Sequence, residues 1–304
     1  MTNPIEEAPP GQERVGFRID YAMPSPDLAD SLGGFHGYHV YIGPGVEHDE
    51  MFLPAWGSIR VTTTPNDWSF RIAGRSYDPV PKAVLFGPSS HSGLARVQTG
   101  HVVGVYLLPR IWSRIVPVAA SEAADRLLPL SDLWGEDARE LMETLADAPD
   151  IEAEKAAFET VIRRRLENAP PEPEGAAAIE AMLLDPDIRT VDQATGRLGW
   201  PEWKFARFVR KHFGFTPKLL MRRARFMRTI LPLRTQTAAG WSDSIDEAYT
   251  DQSHFIRDCH DFLGMTPTQF LARFQPIAAA SFSERERVLG KQHHLLSDPQ
   301  SEPD

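Results

Sequence analysis

Between residues 17 and 108 the chain runs in short β-branched and aromatic stretches broken by Gly and Pro. Residues 38–42 (YHVYI), 58–64 (SIRVTTT), 68–72 (WSFRI), 83–86 (AVLF) and 102–108 (VVGVYLL) are such stretches. Short runs at this spacing predict an antiparallel barrel or sandwich. The period then changes. Residues 137–148 and 151–167 have helical spacing, separated by Pro149-Asp150, and Ile151, Phe158, Val161 and Ile162 share one face of the second. Two helices joined this way form a hairpin, which either packs on the barrel or pairs with a second chain. Residues 169–175 (APPEPEG) hold three prolines and a glycine, which predicts an extended linker. Everything after it reads helical.

The helix ends are marked. Thr190 and Gln193 have capping-box spacing, as do Thr266 and Gln269. Thr216-Pro217 and Thr266-Pro267 each place a capping hydroxyl before a proline at the first helical position. The expected division is a β-rich domain over 1–136, a helical hairpin over 137–168, the linker, an all-α domain over 176–275, and a polar tail over 276–304. The tail is expected to be disordered from Ser281 onward.

The all-α part repeats itself at an offset of 50 residues. Phe205 aligns with Phe255, Arg207 with Arg257, Val209 with Cys259, Phe213 with Leu263 and Gly214 with Gly264; Thr216-Pro217 aligns with Thr266-Pro267. A constant register of this kind means two copies of one supersecondary unit. Each copy has a helix that ends at a Gly suited to a left-handed cap. The helices are Glu202–Phe213 and Gln252–Leu263. Phe205, Phe208, Val209 and Phe213 form the inward stripe of the first, and Phe255, Cys259, Phe262 and Leu263 that of the second. In the first copy a short helix, Val191–Leu198, and the turn Gly199-Trp200-Pro201 precede it, which is the helix-turn-helix plan.

Charge sharpens the picture. The net charge is −10 over 304 residues, but its distribution is uneven. Residues 1–174 hold 15 basic and 26 acidic residues, whereas 197–234 hold eleven basic residues and one acid, Glu202. A basic segment in an acidic chain points to a nucleic-acid partner or to a solvated basic face. No apolar run is long enough to span a membrane, and residues 1–12 lack the features of a signal peptide. The expectation is a soluble cytoplasmic protein. The single cysteine, Cys259, excludes an internal disulfide.

The stretch ATGRLGWPEWKFARFVRKHFGFTPKLLMRRARFMR, followed by AYTDQSHFIRDCHDFLGMTPTQFLARF, resembles the DNA-binding domain of the AraC/XylS family of bacterial transcription regulators. The DQSHFIRD and GMTP segments carry the resemblance, which covers roughly 176–275. The N-terminal half, with LPLSDLWG at 128–135 and then a helical pair, resembles the cupin-like β domain that precedes this module in one branch. The chain also departs from the pattern. Pro201 stands where Ser is usual, Thr195 where a small Ala is, Ala248 where the second turn has Gly, and Cys259 where Phe is usual. Residues 241–247 are unusually polar.

The resemblance implies double-stranded promoter DNA as partner, with each recognition helix in a major groove. It puts base readout at Trp203, Arg207, Ser253 and Arg257, with Gln252, Ala206 and Ile256 nearby. An arginine fork matches guanine O6 and N7, and the alternative for either arginine is a phosphate contact. Lys204, Arg210, Lys211, Arg222, Arg223 and Arg225 are expected phosphate partners. The helix over 217–231 would hold both units on one side of the duplex, their recognition helices about 34 Å apart. RNA polymerase is a further expected partner of such a regulator, and the acidic half is expected to sense a small-molecule effector or to mediate a homodimer.

No catalytic group, cofactor or metal site is expected. His36, His39 and Glu47 lack the spacing of a cupin metal set, and no phosphate loop or nucleophile elbow occurs. The competing readings are a cupin-like small-molecule binder or metal enzyme carrying an auxiliary DNA-binding domain, and a DNA-repair methyltransferase that would need Cys259 as nucleophile.

Overall fold

A computed structural model describes residues 15–65, 67–233, 245, 249–273 and 275–289. Its N-terminal part is a sandwich of two antiparallel sheets. The larger has the order β1 (Val15–Ala22), β2 (Leu32–Ile42), β9 (Gly100–Leu107), β4 (Ser58–Thr62), β7 (Ala83–Phe86), β10 (Leu127–Pro129). The smaller has the order β3 (His48–Phe52), β8 (Gly93–Val97), β5 (Ser69–Ile72), β6 (Arg75–Tyr77). The expected β-rich domain is therefore present. The alternation in β7 shows why its four residues are all apolar. Ala83 and Leu85 face the helices, while Val84 and Phe86 face the smaller sheet, where Phe86 meets Phe70 edge-on at 5.1 Å.

Five strands, β1, β3, β6, β8 and β10, are not apparent from the apolar runs. In β3 the cause is chemical: its sequence is HDEMF, and strands are depleted in Asp and Glu. His48 and Glu50 are nonetheless buried there, joined by a 2.9 Å hydrogen bond. Each satisfies the other in place of water.

Helices α1 (Pro109–Ile115), α2 (Ala120–Ala123), α3 (Leu130–Trp134), α4 (Glu136–Ala146) and α5 (Ile151–Glu167) cover the outer face of the larger sheet. The hairpin of α4 and α5 packs on this chain's own sheet. Phe158 lies 6.0 Å from Phe35, and Val161, Ile162, Leu141 and Leu145 join the same core. A homodimer through the hairpin would thus use its charged outer face and not its apolar one.

After the linker come α6 (Ala176–Leu184), α7 (Val191–Leu198), α8 (Glu202–Phe213), α9 (Pro217–Leu233), α10 (Gln252–Leu263), α11 (Pro267–Leu271) and α12 (Pro276–Leu289). The expectation of a disordered tail from Ser281 fails as far as Leu289. Here α12 returns to the sandwich and packs on β1 and β3. Buried Glu50 accepts hydrogen bonds from the amides of Ile277 (3.0 Å) and Ala278 (3.2 Å), which stand free at the start of the helix. Ser281 bonds to both Tyr21 and Tyr38 at 2.8 Å. The polar sequence SFSERER hides a helix because its partners are polar too.

The two halves share a buried junction. Trp56 meets Phe213 edge-on at 5.7 Å, and the Arg223 guanidinium lies 4.3 Å above the Trp56 ring. Gly214 has φ +90° at the end of α8; a Cβ there would lie 2.9 Å from Pro88 and 3.2 Å from the Ala120 carbonyl. Only glycine meets both the turn and the approach. Arg110 on α1 donates to Glu180 on α6 at 2.7 Å. Among the described residues no helix is long and apolar enough to cross a membrane.

Glu154 on α5 is buried, 3.3 Å from the His101 ring. Burial, reinforced by Asp20 and Asp150, pushes its carboxyl up to about 7. Burial and the neighbouring His39 and Arg18 hold His101 down at about 3. A raised carboxyl contributes stability below its unfolded value that is lost as pH rises toward the folded one, here from about 4.5 to 7. Glu154→Gln removes that loss and leaves the His101 contribution in place. Denaturant unfolding at several pH values should show the variant gaining on the parent between pH 4.5 and 8 by on the order of 2 kcal/mol. A difference that does not change with pH would refute a buried neutral carboxyl.

Candidate nucleic-acid interface

The first helix-turn-helix unit forms as its residues predict. Thr190 caps α7 in a reciprocal box with Gln193, and Gly199 turns the chain at φ +64°. Helix α8 spans Glu202–Phe213 and ends at Gly214. Pro201 sits at its N-cap and offers no capping oxygen. The back of α8 is anchored by Phe205, Val209 and Phe213, all buried, while Glu202, Trp203 and Arg207 are exposed on its outer side. Trp203 is 64% exposed, the most exposed large apolar side chain among the described residues. The Arg207 guanidinium lies 5.4 Å over its ring, so the two form one exposed arm. Arg210 and Lys211 are exposed farther along α8, and Ala206 is half-buried. Lys204 lies 4.0 Å over the Trp200 ring.

In the second unit, helix α10 spans Gln252–Leu263 and ends at Gly264 with φ +75°. Gln252, Ser253 and Arg257 are exposed on its outer side, and Ile256 is half-buried. Phe255 and Cys259 are fully buried on the other. The register of 50 residues therefore survives in three dimensions: Arg207 and Arg257 occupy corresponding exposed positions on two helices with the same ends. Residues 234–244 and 246–248, which include Ala248 and most of the polar stretch 241–247, lie outside the described residues.

The expected phosphate cluster divides. Arg223 is 1% exposed and faces the sandwich, where its Nε donates to the Ser89 carbonyl at 2.8 Å. Burial pulls its guanidinium below the usual arginine range. It cannot reach a phosphate. Arg222 and Arg225 point across to α10 and bind Asp258, at 2.5 and 2.9 Å. Charge density alone does not tell which way an arginine points. Arg210 and Lys211 remain exposed.

Asp258 is the residue that apolar spacing misses. It is 1% exposed and accepts from Arg222, Arg225 and the Tyr249 hydroxyl, the last at 2.8 Å. Burial raises its carboxyl, but the bonds from Arg225 and Arg222 outweigh that and leave it below the usual range. The result sets the orientation of α10 against α9. At the corresponding place in the first unit stands Phe208, packed edge-on against Trp200 at 5.2 Å. The available signal was that 258 falls among inward positions of a helix, where an aspartate requires a partner. Cys259 is fully buried, and burial pushes its thiol up, the reverse of what a nucleophile needs. His36 and His39 go to opposite places: His36 is buried among tyrosine rings, while His39 stacks on His101 at 3.9 Å, and Glu47 pairs with Arg96.

Asp258→Asn removes the charge that two arginines face. It should cost roughly 3 kcal/mol. The loss should shrink in acid, because a lowered carboxyl contributes stability present above its unfolded value and lost as pH falls through its folded one. Thermal unfolding of parent and variant at pH 7 and pH 3 checks this; equal losses at both would show that Asp258 acts by packing alone.

No family model and no curated relative matches the chain. Among solved structures it is similar to ToxT from Vibrio cholerae, at 10% identity over 86% of this chain and 98% of that one, with a TM-score of 0.44. A second ToxT structure, from strain O395, gives 11% identity, 84% and 96% coverage and 0.42. The AraC-like transcriptional activator CuxR gives 12% identity, 72% and 84% coverage and 0.32. The functional reading stands on the chain's own two helices.

Proposed function

We propose that this chain is a sequence-specific DNA-binding transcription regulator of the AraC/XylS type. In this reading α8 and α10 enter successive major-groove segments, and the β domain controls them. The observation that carries the reading is the repeated unit with Arg207 and Arg257 at corresponding exposed positions. Arg207, braced by Trp203, reads a guanine; Arg257, with Ser253 and Gln252 beside it, reads the second block. Ala206 and Ile256 contact bases by shape. Lys204, Arg210 and Lys211 bind phosphates and set the register. Arg222, Arg223 and Arg225 are structural and not DNA contacts.

The regulator works in the cytoplasm, where DNA and RNA polymerase are. The β domain senses a small-molecule effector, and its junction with the helices through Trp56, Phe213 and Arg223 gives the signal a physical route. A homodimer, where one forms, uses surface outside the α4–α5 apolar face.

Selection of sites from a random duplex pool with the full-length protein tests the reading. The expected motif has two blocks about 10 base pairs apart. Arg207→Ala should lose roughly 1–3 kcal/mol of binding and relax one position of the block that α8 reads. Unchanged affinity and motif would remove Arg207 from base readout. No motif at all would return the chain to the small-molecule-binding class.

A further inference from the structure

The sandwich has two open sides, one where β6 and β10 end their sheets and one where β1 and β3 do. The first is bridged from within, since the Leu127 amide of β10 donates to the Tyr77 hydroxyl of β6 at 3.1 Å. The second is bridged by α12, which packs on β1 and β3 together. This helix belongs to neither sheet. It follows the second helix-turn-helix unit after residues 272–275. Whatever holds α12 therefore also holds that unit.

The docked face of α12 has helical spacing. Ile277, Ala278, Ser281, Phe282 and Arg285 fall at i, i+1, i+4, i+5 and i+8. Ile277 is buried in a sandwich cluster with Val15, Tyr38 and Ile42. Phe282 packs instead on the cluster of the second unit that holds Phe226, Phe255 and Phe262. Yet among the described side chains of α12 only Ile277 and Ala278 are buried. Behind its later turns lies a cavity of about 110 Å³, lined by Ser281 and Arg285 and by Arg60 and Tyr106 of the larger sheet. Arg60 belongs to a polar row, Ser58, Arg60 and Thr62, buried on the inward face of β4, whose Ile59 and Val61 join the core beneath the helices. A helix backed by a cavity and a polar row gains little apolar contact to place it.

Directional bonds place it instead. Fully buried Glu50 accepts from the amides of Ile277 at 3.0 Å and Ala278 at 3.2 Å, and His48 Nε2 lies 2.9 Å from the same carboxyl. One turn on, the Ser281 hydroxyl lies 2.8 Å from both the Tyr21 and the Tyr38 hydroxyls. A further turn on, the Arg285 guanidinium lies 4.9 Å over the Tyr106 ring. Apolar contact tolerates sliding. Two amides on one carboxylate do not, because a hydrogen bond weakens steeply with distance and angle. The second unit meets the sandwich at two more points. Met51 and Leu94 of the smaller sheet pack on its core, and the Ser92 amide donates to the Phe262 carbonyl near the end of α10 at 2.7 Å.

We infer that α12 is a strap that positions the second unit against the sandwich, with Glu50 as its positioning residue. The inference rests on the reading of α8 and α10 as DNA-reading helices. Helix α8 is fastened to the sandwich by its own junction, at Trp56 and Gly214. Tying α10 to the same body fixes the distance and angle between the two. The strap does not mask DNA, because Arg207 and Arg257 are exposed while α12 is docked. Its effect is on spacing. One base pair inserted between the blocks moves the second by about 3.4 Å and turns it by about 34°. A held unit rejects that change, and a loosened unit follows it.

The test uses the full-length protein, its selected duplex, and duplexes with one or two base pairs added or removed between the blocks. The parent should bind the altered sites weaker by roughly tenfold or more. Glu50→Ala should reduce that penalty to roughly threefold or less, and so should Ser281→Lys, which drives a long side chain between Tyr21 and Tyr38. Affinity for a duplex carrying only the block that α8 reads should stay the same in both. With no DNA present, amide hydrogen exchange should quicken across α12 by roughly tenfold or more and stay unchanged in α8 and β9. Where Glu50→Ala fails to fold, Ser281→Lys decides. A spacing penalty that survives in a variant whose α12 exchanges faster overturns the strap, as does a parent that binds two blocks at any spacing. Exchange unchanged in both variants overturns the anchors. A parent that selects no two-block site overturns the regulator reading and the role of α12 with it, whereas a two-block site with an unaltered penalty overturns the strap alone.

Discussion

A cation with almost no water around it fixes where the helical domain sits. Arg223 leaves the middle of α9, crosses to the sandwich, stacks on Trp56 and donates to the Ser89 carbonyl. Such a group is tolerated only where its surroundings are firmly built, since a buried charge that loses its partners is severely destabilising. The helix that carries it also joins α8 to α10 in the chain. One turn of α9 thus divides its work by direction. Arg223 holds the sandwich, while Arg222 and Arg225 hold Asp258 on α10. That one turn ties α10, through α9, to the β domain.

The two units are fastened by different physics. The back of α8 packs on apolar surface: Phe213 on Trp56, and Gly214 close to Pro88 and Ala120. Helix α10 is held to α9 by Asp258 and its three partners. Apolar burial is insensitive to salt and to pH, whereas the ionic cluster responds to pH, though its burial limits screening by salt. The second unit is consequently the one whose geometry conditions can loosen.

What was legible in the chain was local. Helices α8 and α10 have the limits their residues predict, because caps, glycine ends and the 3.6-residue stripe act within a few residues of one another. The hairpin followed for the same reason. What was not legible depended on distant partners. Strand β3 carries Asp and Glu yet is a strand, because Glu50 finds His48 and the start of α12, more than two hundred residues away. The run from Ser281 reads as a solvated tail until Tyr21, Tyr38 and Glu50 are placed against it. The basic cluster 222–225 reads as a phosphate site because composition gives charge without direction. Helical spacing alone separates residue 223 from residues 222 and 225, and only the fold says what each side meets.

The same limit explains how a polar interior row could pass unnoticed. Alternation in β4 is the signature of a half-exposed strand, and it would be one if the smaller sheet and α12 were absent. Closing the sandwich over it converts an ordinary solvent face into a chamber in which the Arg60 Nε has no hydrogen-bond partner among the described residues. Methionine or leucine at position 60 would fill the space without the desolvation cost of a guanidinium. The chamber and α12 are joined directly, because Tyr21 and Tyr38, which line the first, are bonded to the Ser281 hydroxyl of the second.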